Sequence, residues 1–209
     1  MNNVNAHPPE TNLKPCWSCK GPTPVASLFC ATCKAVQAPA PVDHFARLNV
    51  ERSFEVDVSA LDHLYFDLQR QLHPDRFATK APKEKALSQQ QATALNDAYE
   101  TLKDPLKRAD YLVHLEGVDV LPEGCNLVKD QSILMEAMEM REKLTMADTM
   151  EALNAIQRET KVEIDDVLSA LSLAFQGDDI RGACQLTTRL KYLDKMMGEV
   201  RQSRAKLLS

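Results

Sequence analysis

Apolar residues recur at helical spacing through most of the chain from about residue 59 to residue 208, and this pattern limits the fold more than any other feature. One face of the first run carries residues at an i, i+3, i+4, i+7, i+11 spacing: Leu61, Leu64, Tyr65, Leu68 and Leu72. Later runs continue the pattern, and only six glycines interrupt the 209 residues. The sequence therefore predicts a mainly α-helical protein.

Breaks in this pattern divide the chain into three segments. Residues 1–40 show no helical period and end in a stretch rich in Pro and Ala, residues 35–41, which is typical of a short, stiff linker. Residues 43–117 contain two amphipathic runs and a shorter third one, which predict a helical hairpin. Residues 130–208 contain three amphipathic runs with short connections, which predict a three-helix bundle.

Local signals predict where the helices begin and end. Ser59 is expected to cap the first long helix, and Pro74 is expected to stop it. The next helix is expected to end at Asp104, which precedes Pro105. Asp178 is expected to cap the last helix of the bundle. These ends leave a loop between two antiparallel helices in the middle segment.

Four of the six cysteines form two C-x2-C pairs separated by ten residues: Cys16, Cys19, Cys30 and Cys33. Each pair directs two thiolates at one point, and two pairs close a tetrahedron around a soft divalent ion. The spacing predicts a structural zinc site in a small knuckle module whose folding depends on the metal. A rubredoxin-like iron site uses similar pairs and stays open as an alternative. A redox dithiol fits the sequence less well, because two pairs are present and no βαβ pattern surrounds them.

Composition and charge exclude several classes of protein. The net charge of −5 argues against general nucleic-acid binding, which requires a basic surface. No stretch reaches the ~18 consecutive apolar residues that a membrane span requires. Residues 1–15 contain neither an apolar core nor arginine, so they resemble neither a secretory signal nor a transit peptide. We expect a cytoplasmic protein in a reducing compartment, without a nucleic-acid or membrane partner.

The tripeptide His73-Pro74-Asp75 lies in the loop of the predicted hairpin. Alone it is weak evidence, because Pro can simply end a helix and Asp can cap the next turn. A catalytic acid–base pair has little support, since no nucleophile or open metal accompanies it. The surroundings add weight to the tripeptide: Gln69 to Leu72 precede the loop, and the basic residues Arg76, Lys80, Lys83 and Lys85 follow it.

The loop and the stretch from Asn96 to Pro105, read as N-x-A-Y-x-x-L-x-D-P, strongly resemble the J-domain family. The resemblance implies that the loop and the basic helix face engage an acidic surface of a DnaK-type chaperone and accelerate its ATP hydrolysis. By position in the motif, the chaperone-binding residues are Arg70, His73, Pro74, Asp75, Arg76 and Lys80. A protein of this kind activates a partner and is not itself an enzyme.

The order of the segments resembles HscB, the J-domain co-chaperone family of iron–sulfur cluster assembly. The resemblance covers about residues 43–208 and rests on Gln69–Phe77, on Leu134-Met135-Glu136 and on Tyr192–Lys195. It implies that the protein binds an IscU-like iron–sulfur scaffold, delivers it to a specialised HscA-like chaperone, stimulates that chaperone's ATPase and promotes cluster transfer to acceptor proteins. No Gly/Phe-rich linker, common in general J-proteins, follows the J-domain.

Many bacterial HscB proteins lack a cysteine module, whereas mitochondrial-type relatives carry one. We therefore expect a bacterial, cytoplasmic protein of the cysteine-bearing type, or a processed organellar form in the mitochondrial matrix.

The same resemblance implies a mostly apolar scaffold-binding patch on the bundle with acidic neighbours: Leu134, Met135, Met138, Glu139, Glu142 and Tyr192. Met146 stands where the family usually has an acid, so the polar rim is expected to differ. Spacing alone favours Leu134 and Met138 as core residues of the bundle, and the resemblance reverses that preference. Methionine suits an adaptable docking surface, which favours the patch.

The sequence leaves two other functions open. One is a co-chaperone of a general DnaK-type chaperone that serves a different client. The other is a zinc-ribbon nucleic-acid-binding protein or metalloenzyme, which would account only for residues 16–33. From the sequence, the metal module could contribute stability, self-association or contact with a partner. Both zinc and iron fit its four cysteines.

Overall fold

The computed structural model describes residues 13–121, 124–125 and 131–208, without the side chains of 121, 124–125, 131–134 and 137. Seven α-helices lie within these residues: α1 His44–Leu48, α2 Val58–Leu72, α3 Pro82–Lys103, α4 Pro105–Leu115, α5 Gln131–Met146, α6 Met150–Gln176 and α7 Ile180–Leu207. A 3-10 turn spans Pro74–Phe77, and the strands are β1 Leu13–Pro15, β2 Pro22–Pro24, β3 Val120–Leu121 and β4 Gly124–Cys125. The prediction of a mainly helical protein is confirmed. None of the described helices is both long and apolar enough to cross a membrane.

The chain divides into two compact units. The first, unit 1, contains the residues up to Arg52 together with Asp57–Leu102. The second, unit 2, contains Ser53–Val56 and the residues from Lys103 onward. The cysteine module and the α2–α3 hairpin thus belong to unit 1, and the three bundle helices belong to unit 2.

The cysteine module of unit 1 is a small antiparallel β-hairpin with two turns. Strands β1 and β2 pair with Leu13 opposite Pro24. Residues 35–41, predicted as a linker, are packed within the unit, because Val36 is fully buried and Gln37 is 1% exposed. The indole Nε1 of Trp17 donates a 2.7 Å hydrogen bond to the main-chain oxygen of Val36. Local composition does not reveal a hydrogen bond of this kind. A stretch that contains Pro and Ala therefore predicts a linker even though it is packed in the folded unit.

Helices α2 and α3 form the predicted hairpin. The tyrosine ring of Tyr65 in α2 stacks on that of Tyr99 in α3, with ring centroids 3.8 Å apart. The hydroxyl of Ser88 in α3 donates to the main-chain oxygen of Leu72 at 2.7 Å and secures the last turn of α2. The cap of α2 is Asp57, not the predicted Ser59: its carboxylate accepts from the Ala60 N–H at 3.0 Å.

Helices α5, α6 and α7 form the predicted three-helix bundle of unit 2. A buried cluster joins them: Leu144, Leu153, Met196 and Val200. The guanidinium of Arg189 in α7 pairs with Glu136 of α5 at 3.2 Å and with Glu163 of α6 at 3.4 Å. Asp179, not the predicted Asp178, caps α7, because Asp178 adopts a left-handed backbone with φ of 53°.

Helix α4 and the short β3–β4 hairpin also pack in unit 2. The ammonium Nζ of Lys191 in α7 donates to Asp110 in α4 and to the main-chain oxygen of Val120 in β3, both at 2.7 Å. The ring of Phe54 stacks on that of Phe175, with centroids 5.4 Å apart, and the Arg108 guanidinium lies 5.2 Å from the Phe54 ring centroid. These contacts join segments that are far apart in the sequence.

Candidate functional site

The four cysteines of unit 1 converge on one point. Their Sγ atoms all lie within 4.8 Å of one another. The distances from Cys16 to Cys33 and from Cys19 to Cys30 are each 3.7 Å. A tetrahedron of thiolates around a zinc ion with bonds of about 2.3 Å has edges of about 3.8 Å. The cluster therefore has the donor type, number and spacing of a closed metal site.

The two C-x2-C turns have the same backbone geometry. The N–H of Lys20 bonds to the oxygen of Cys16, and the N–H of Lys34 bonds to the oxygen of Cys30, each at 3.0 Å. Both lysines adopt a left-handed conformation, with φ of 64° and 61°. Each turn thus presents its two thiols in the same way, and the second turn completes the tetrahedron started by the first.

Electrostatics within the cluster favour ionised sulfur at two positions. Burial raises the pKa of the Cys16 thiol, but N–H donors from Cys19, Ser18 and the Gln37 side chain outweigh it and lower that pKa to about 6. The pKa of Cys30 is also lowered, chiefly by the N–H of Cys33. At Cys19 the Gly21 N–H lowers the pKa, but the neighbouring sulfurs and burial raise it to about 11. Such accumulation of negative charge is what a divalent cation offsets.

The loop that contains His73-Pro74-Asp75 in unit 1, the HPD loop, presents its side chains to solvent. The ring Nδ1 of His73 accepts from the N–H of Asp75 at 3.3 Å, and the His73 oxygen accepts from the Arg76 N–H at 3.0 Å. Pro74 occupies the first position of the 3-10 turn, where a missing N–H costs nothing. The side chains of His73 and Asp75 are 52% and 90% exposed. The backbone holds the loop in shape and leaves both side chains available to a partner.

A groove of about 450 Å³ lies beside this loop and is lined by Phe66, Gln69, Arg70, His73 and Arg76. The structure thus brings three of the six predicted chaperone-binding side chains together. Pro74 and Asp75 lie in the adjoining turn, whereas Lys80 is exposed but does not line the groove. Arg76 donates to the main-chain oxygen of Arg70 at 3.2 Å, and Arg70 pairs with Asp67.

Sequence reasoning missed Phe66, whose side chain is 54% exposed although it is a large aromatic group. Its signal was its position between Tyr65 and Asp67, off the apolar stripe of α2. An exposed aromatic side chain beside a basic loop is typical of a binding surface.

The predicted scaffold patch lies on the bundle of unit 2. Met135 and Met138 on α5 are 62% and 65% exposed, and Glu139 and Glu142 are exposed on the same helix. This exposure argues against the core alternative for Met138. The side chain of Leu134 lies outside the described residues.

A cavity of about 130 Å³ joins Met138 to Tyr192 of α7, and its other lining residues are Met140, Arg141, Lys195, Met196 and Glu199. Of the other patch residues whose side chains the structure describes, Met135, Glu139 and Glu142 do not line it. Arg141, Lys195 and Glu199 are polar neighbours that the sequence reasoning missed. Their signal was helical spacing: Arg141 and Lys195 lie three residues after Met138 and Tyr192, and Glu199 lies seven residues after Tyr192, on the same helix face.

Comparisons with known proteins agree with these features. Residues 43–111 match the DnaJ domain family, and residues 129–201 match the family described as the HSCB C-terminal oligomerisation domain. The hairpin with its HPD loop and the first match define a J-domain protein.

Relatives and solved structures define the family more closely. The chain is 36% identical over 195 residues to the human iron-sulfur cluster co-chaperone protein HscB, covering 91% of this chain and 83% of that one. It is 36% identical over 160 residues to a co-chaperone protein HscB homolog of Paraburkholderia xenovorans, covering 75% and 91%. The crystal structure of human HscB superimposes with a TM-score of 0.85 at 34% identity, covering 91% and 98%. The chain belongs to the HscB family of co-chaperones.

The match to the human protein covers 91% of this chain, so it extends into the cysteine-bearing segment before residue 43. The predicted resemblance to HscB proteins of the cysteine-bearing form is confirmed.

Proposed function

We propose that this protein binds an iron–sulfur cluster scaffold, delivers it to a specialised HscA-like chaperone of the DnaK type, and stimulates the ATPase of that chaperone. Stimulated hydrolysis would promote cluster transfer to acceptor proteins. The observation that carries the proposal is the exposed HPD loop and its groove in a chain of the HscB family. The protein would act as an activator with no turnover of its own, in a bacterial cytoplasm or, as a processed organellar form, in the mitochondrial matrix.

The chaperone-binding surface consists of Arg70, His73, Pro74, Asp75, Arg76 and Lys80. Arginines and lysine around an exposed loop attract an acidic partner surface and raise the rate of encounter, although the whole chain is acidic. The groove beside them offers the Phe66 ring to an apolar group of the same partner. This combination of a charged rim and an apolar contact supports a specific, reversible complex.

The scaffold-binding surface consists of Leu134, Met135, Met138, Glu139, Glu142 and Tyr192. Two exposed methionines and a cavity that reaches Tyr192 provide apolar contact, and the glutamates add a polar rim. Flexible thioether side chains adapt to a partner surface at small cost. The patch is small, which suits a client that must be released.

Cys16, Cys19, Cys30 and Cys33 would hold one structural zinc ion. With four thiolates as ligands the site has no open position, so the metal would organise the module without taking part in a reaction. Titration of the purified chain with a chromophoric zinc chelator should yield one zinc per chain, and the Cys16→Ser variant should yield much less. Iron in place of zinc, detected by its visible absorption, would correct the identity of the metal while keeping the site.

Self-association is a further part of the proposal, and the family description of residues 129–201 supports it. Sedimentation equilibrium of the full chain tests it: a mass that rises with concentration indicates a second copy as partner, and a constant mass near 23.4 kDa contradicts it.

A separation-of-function variant tests the division of labour. His73→Gln should abolish stimulation of the chaperone's ATPase and leave the affinity for the scaffold unchanged, because the two surfaces belong to different units. Steady-state phosphate release and titration calorimetry measure the two effects. Joint loss of both would contradict the proposal. Binding of unfolded polypeptide in place of the scaffold would indicate a co-chaperone of a general DnaK-type chaperone with a different client.

A further inference from the structure

A buried amide links helix α3 to the cysteine module within unit 1. Gln91 occupies a position on α3 one turn from both Leu87 and Leu95, where the apolar stripe would continue, and it is 2% exposed. Its Nε2 donates a 2.9 Å hydrogen bond to the main-chain oxygen of Gln37, which is itself 1% exposed. A buried glutamine on a core face carries a desolvation cost, and this bond offsets the part that comes from the amide N–H.

The side chain of Gln37 continues the connection to a cysteine. Its Nε2 lies 3.4 Å from the Sγ of Cys16 and donates to it, and the same amide donates to the main-chain oxygen of Ala35 at 2.9 Å. Cys16 is fully buried, so this sulfur receives the amide hydrogen bond out of contact with water. A hydrogen-bond path thus runs from α3 through Gln37 to a sulfur of the proposed metal site.

A second, independent contact joins the same helix to the module. The Nζ of Lys83 lies 4.7 Å from the centroid of the Trp17 ring, which follows Cys16 directly. The indole of Trp17 in turn bonds to Val36, the neighbour of Gln37. Two contacts on α3, two turns apart, therefore hold the first C-x2-C turn against the helix.

We propose that Gln37 is an outer-sphere donor to the metal-bound thiolate of Cys16 and that Gln91 positions it, so that metal affinity and the order of α3 are thermodynamically linked. The inference rests on the proposed metal site. A hydrogen bond to a charged thiolate is stronger than one to a thiol, so metal binding strengthens the hydrogen bond from Gln37 to Cys16. By reciprocity, weakening the path at α3 lowers the affinity for the metal.

The consequence concerns a helix of the J-domain hairpin. Helix α3 packs against α2, whose C-terminal end carries the HPD loop, through Tyr99 and Ser88. Loss of the metal would loosen α3 from one side. Metal occupancy thus becomes a condition on the stability of the chaperone-binding unit as well as of the knuckle.

The decisive variant is Gln91→Met, which removes the amide and keeps the volume of the side chain. Among the described residues Oε1 of Gln91 accepts no hydrogen bond, so the change removes only the bond to Gln37. The matched control is Gln90→Met, the same substitution at the exposed neighbouring position. Zinc affinity is measured by competition with a chromophoric chelator on the full chain.

We expect Gln91→Met to bind zinc roughly 3- to 30-fold more weakly than wild type, and Gln90→Met to bind it as wild type does. Equal affinity of all three chains would overturn the proposal. If the wild-type chain binds no metal, the proposed metal site itself fails, and that result is distinct because it appears before any variant is compared.

Two readouts separate positioning from a general loss of stability. In the cobalt-substituted chain, Gln37→Asn should shift the sulfur-to-cobalt charge-transfer band, since the hydrogen bond to the Cys16 sulfur changes, whereas Gln90→Met should leave the band in place. Amide hydrogen exchange in α3 should slow on metal addition in wild type and in Gln90→Met, but little in Gln91→Met. Metal-dependent protection of α3 that persists in Gln91→Met would contradict the link.

Discussion

Met138 of α5 and Tyr192 of α7 line the same cavity of about 130 Å³, although they belong to the first and last helices of the bundle. The thioether of Met138 is mostly exposed, whereas the tyrosine is half-buried between its neighbours. An exposed flexible side chain next to a fixed aromatic one provides an adaptable apolar contact. The pair is therefore the centre of the proposed scaffold surface.

Alanine at both Met138 and Tyr192 should weaken scaffold binding about 10- to 100-fold, since truncation of central apolar contacts costs about 1–3 kcal/mol. Titration calorimetry with the scaffold measures the change. The control is Leu173→Ala, which truncates an equally exposed apolar side chain on α6. Unchanged affinity in the double variant, or equal weakening in the control, would remove this patch from the proposed function.

Phe66→Ser should weaken binding of the chaperone without changing the maximal rate of stimulated ATP hydrolysis. The ring lines the groove beside the HPD loop but is not part of it. We expect the co-chaperone concentration for half-maximal stimulation to rise about tenfold, by loss of about 1.4 kcal/mol of apolar contact. Leu13→Ser, which removes another exposed apolar side chain of unit 1, should leave that concentration unchanged. A lower maximal rate in Phe66→Ser would show a role in activation instead of binding.

Lys191→Met should destabilise unit 2 by about 1–2 kcal/mol, since one ammonium bonds both the Asp110 carboxylate and the Val120 main-chain oxygen. The exposure of Asp110 keeps the effect below that of a buried ion pair. Urea unfolding followed by circular dichroism measures the change. Lys195→Met, at an exposed position on the same helix, serves as the reference. Equal midpoints for the two variants would show that the Lys191 contacts contribute no stability.

Acidification should destabilise unit 1 partly through His44. Burial lowers the pKa of this imidazole, and Arg47 lowers it further, against the opposing effect of Asp97 and Asp43. Because the folded pKa lies below the unfolded value of about 6.5, protonation favours the unfolded chain, and stability falls as the pH drops through that value.

The test compares wild type with His44→Gln in urea at pH 7.5 and pH 5.5. The fluorescence of Trp17, the single tryptophan of the chain, reports on unit 1. On acidification, the urea concentration at the unfolding midpoint should fall more in wild type than in the variant. An equal loss in both chains would show that His44 does not contribute to the acid sensitivity.

Features with a local or periodic signature could be predicted from the sequence. The helices of the hairpin and bundle follow from apolar spacing, and the cysteine cluster follows from two C-x2-C pairs. Helix caps are harder to predict, because neighbouring Asp and Ser residues compete for the same N–H groups. Asp57 therefore replaces Ser59 as the cap of α2.

Features that depend on long-range packing could not be predicted. The hydrogen bond from Gln91 to Gln37 joins positions 54 residues apart, and no local sequence pattern predicts it. The burial of residues 35–41 has the same origin, since Val36 is held by Trp17 of the first cysteine turn. Within the candidate sites, the position of Phe66 off the apolar stripe of α2 indicates exposure, but the groove that it lines beside the HPD loop forms only in the folded unit.

In the proposed function, one chain couples an iron–sulfur scaffold to the ATPase of a DnaK-type chaperone. The most direct measurement is the steady-state ATPase rate of the cognate chaperone with this protein, in the presence and absence of the scaffold. We predict stimulation by the protein alone, a greater than additive rate with the scaffold, and loss of that excess in the Met138→Ala, Tyr192→Ala double variant. A rate indifferent to the scaffold, or an excess that survives in the double variant, would contradict the account.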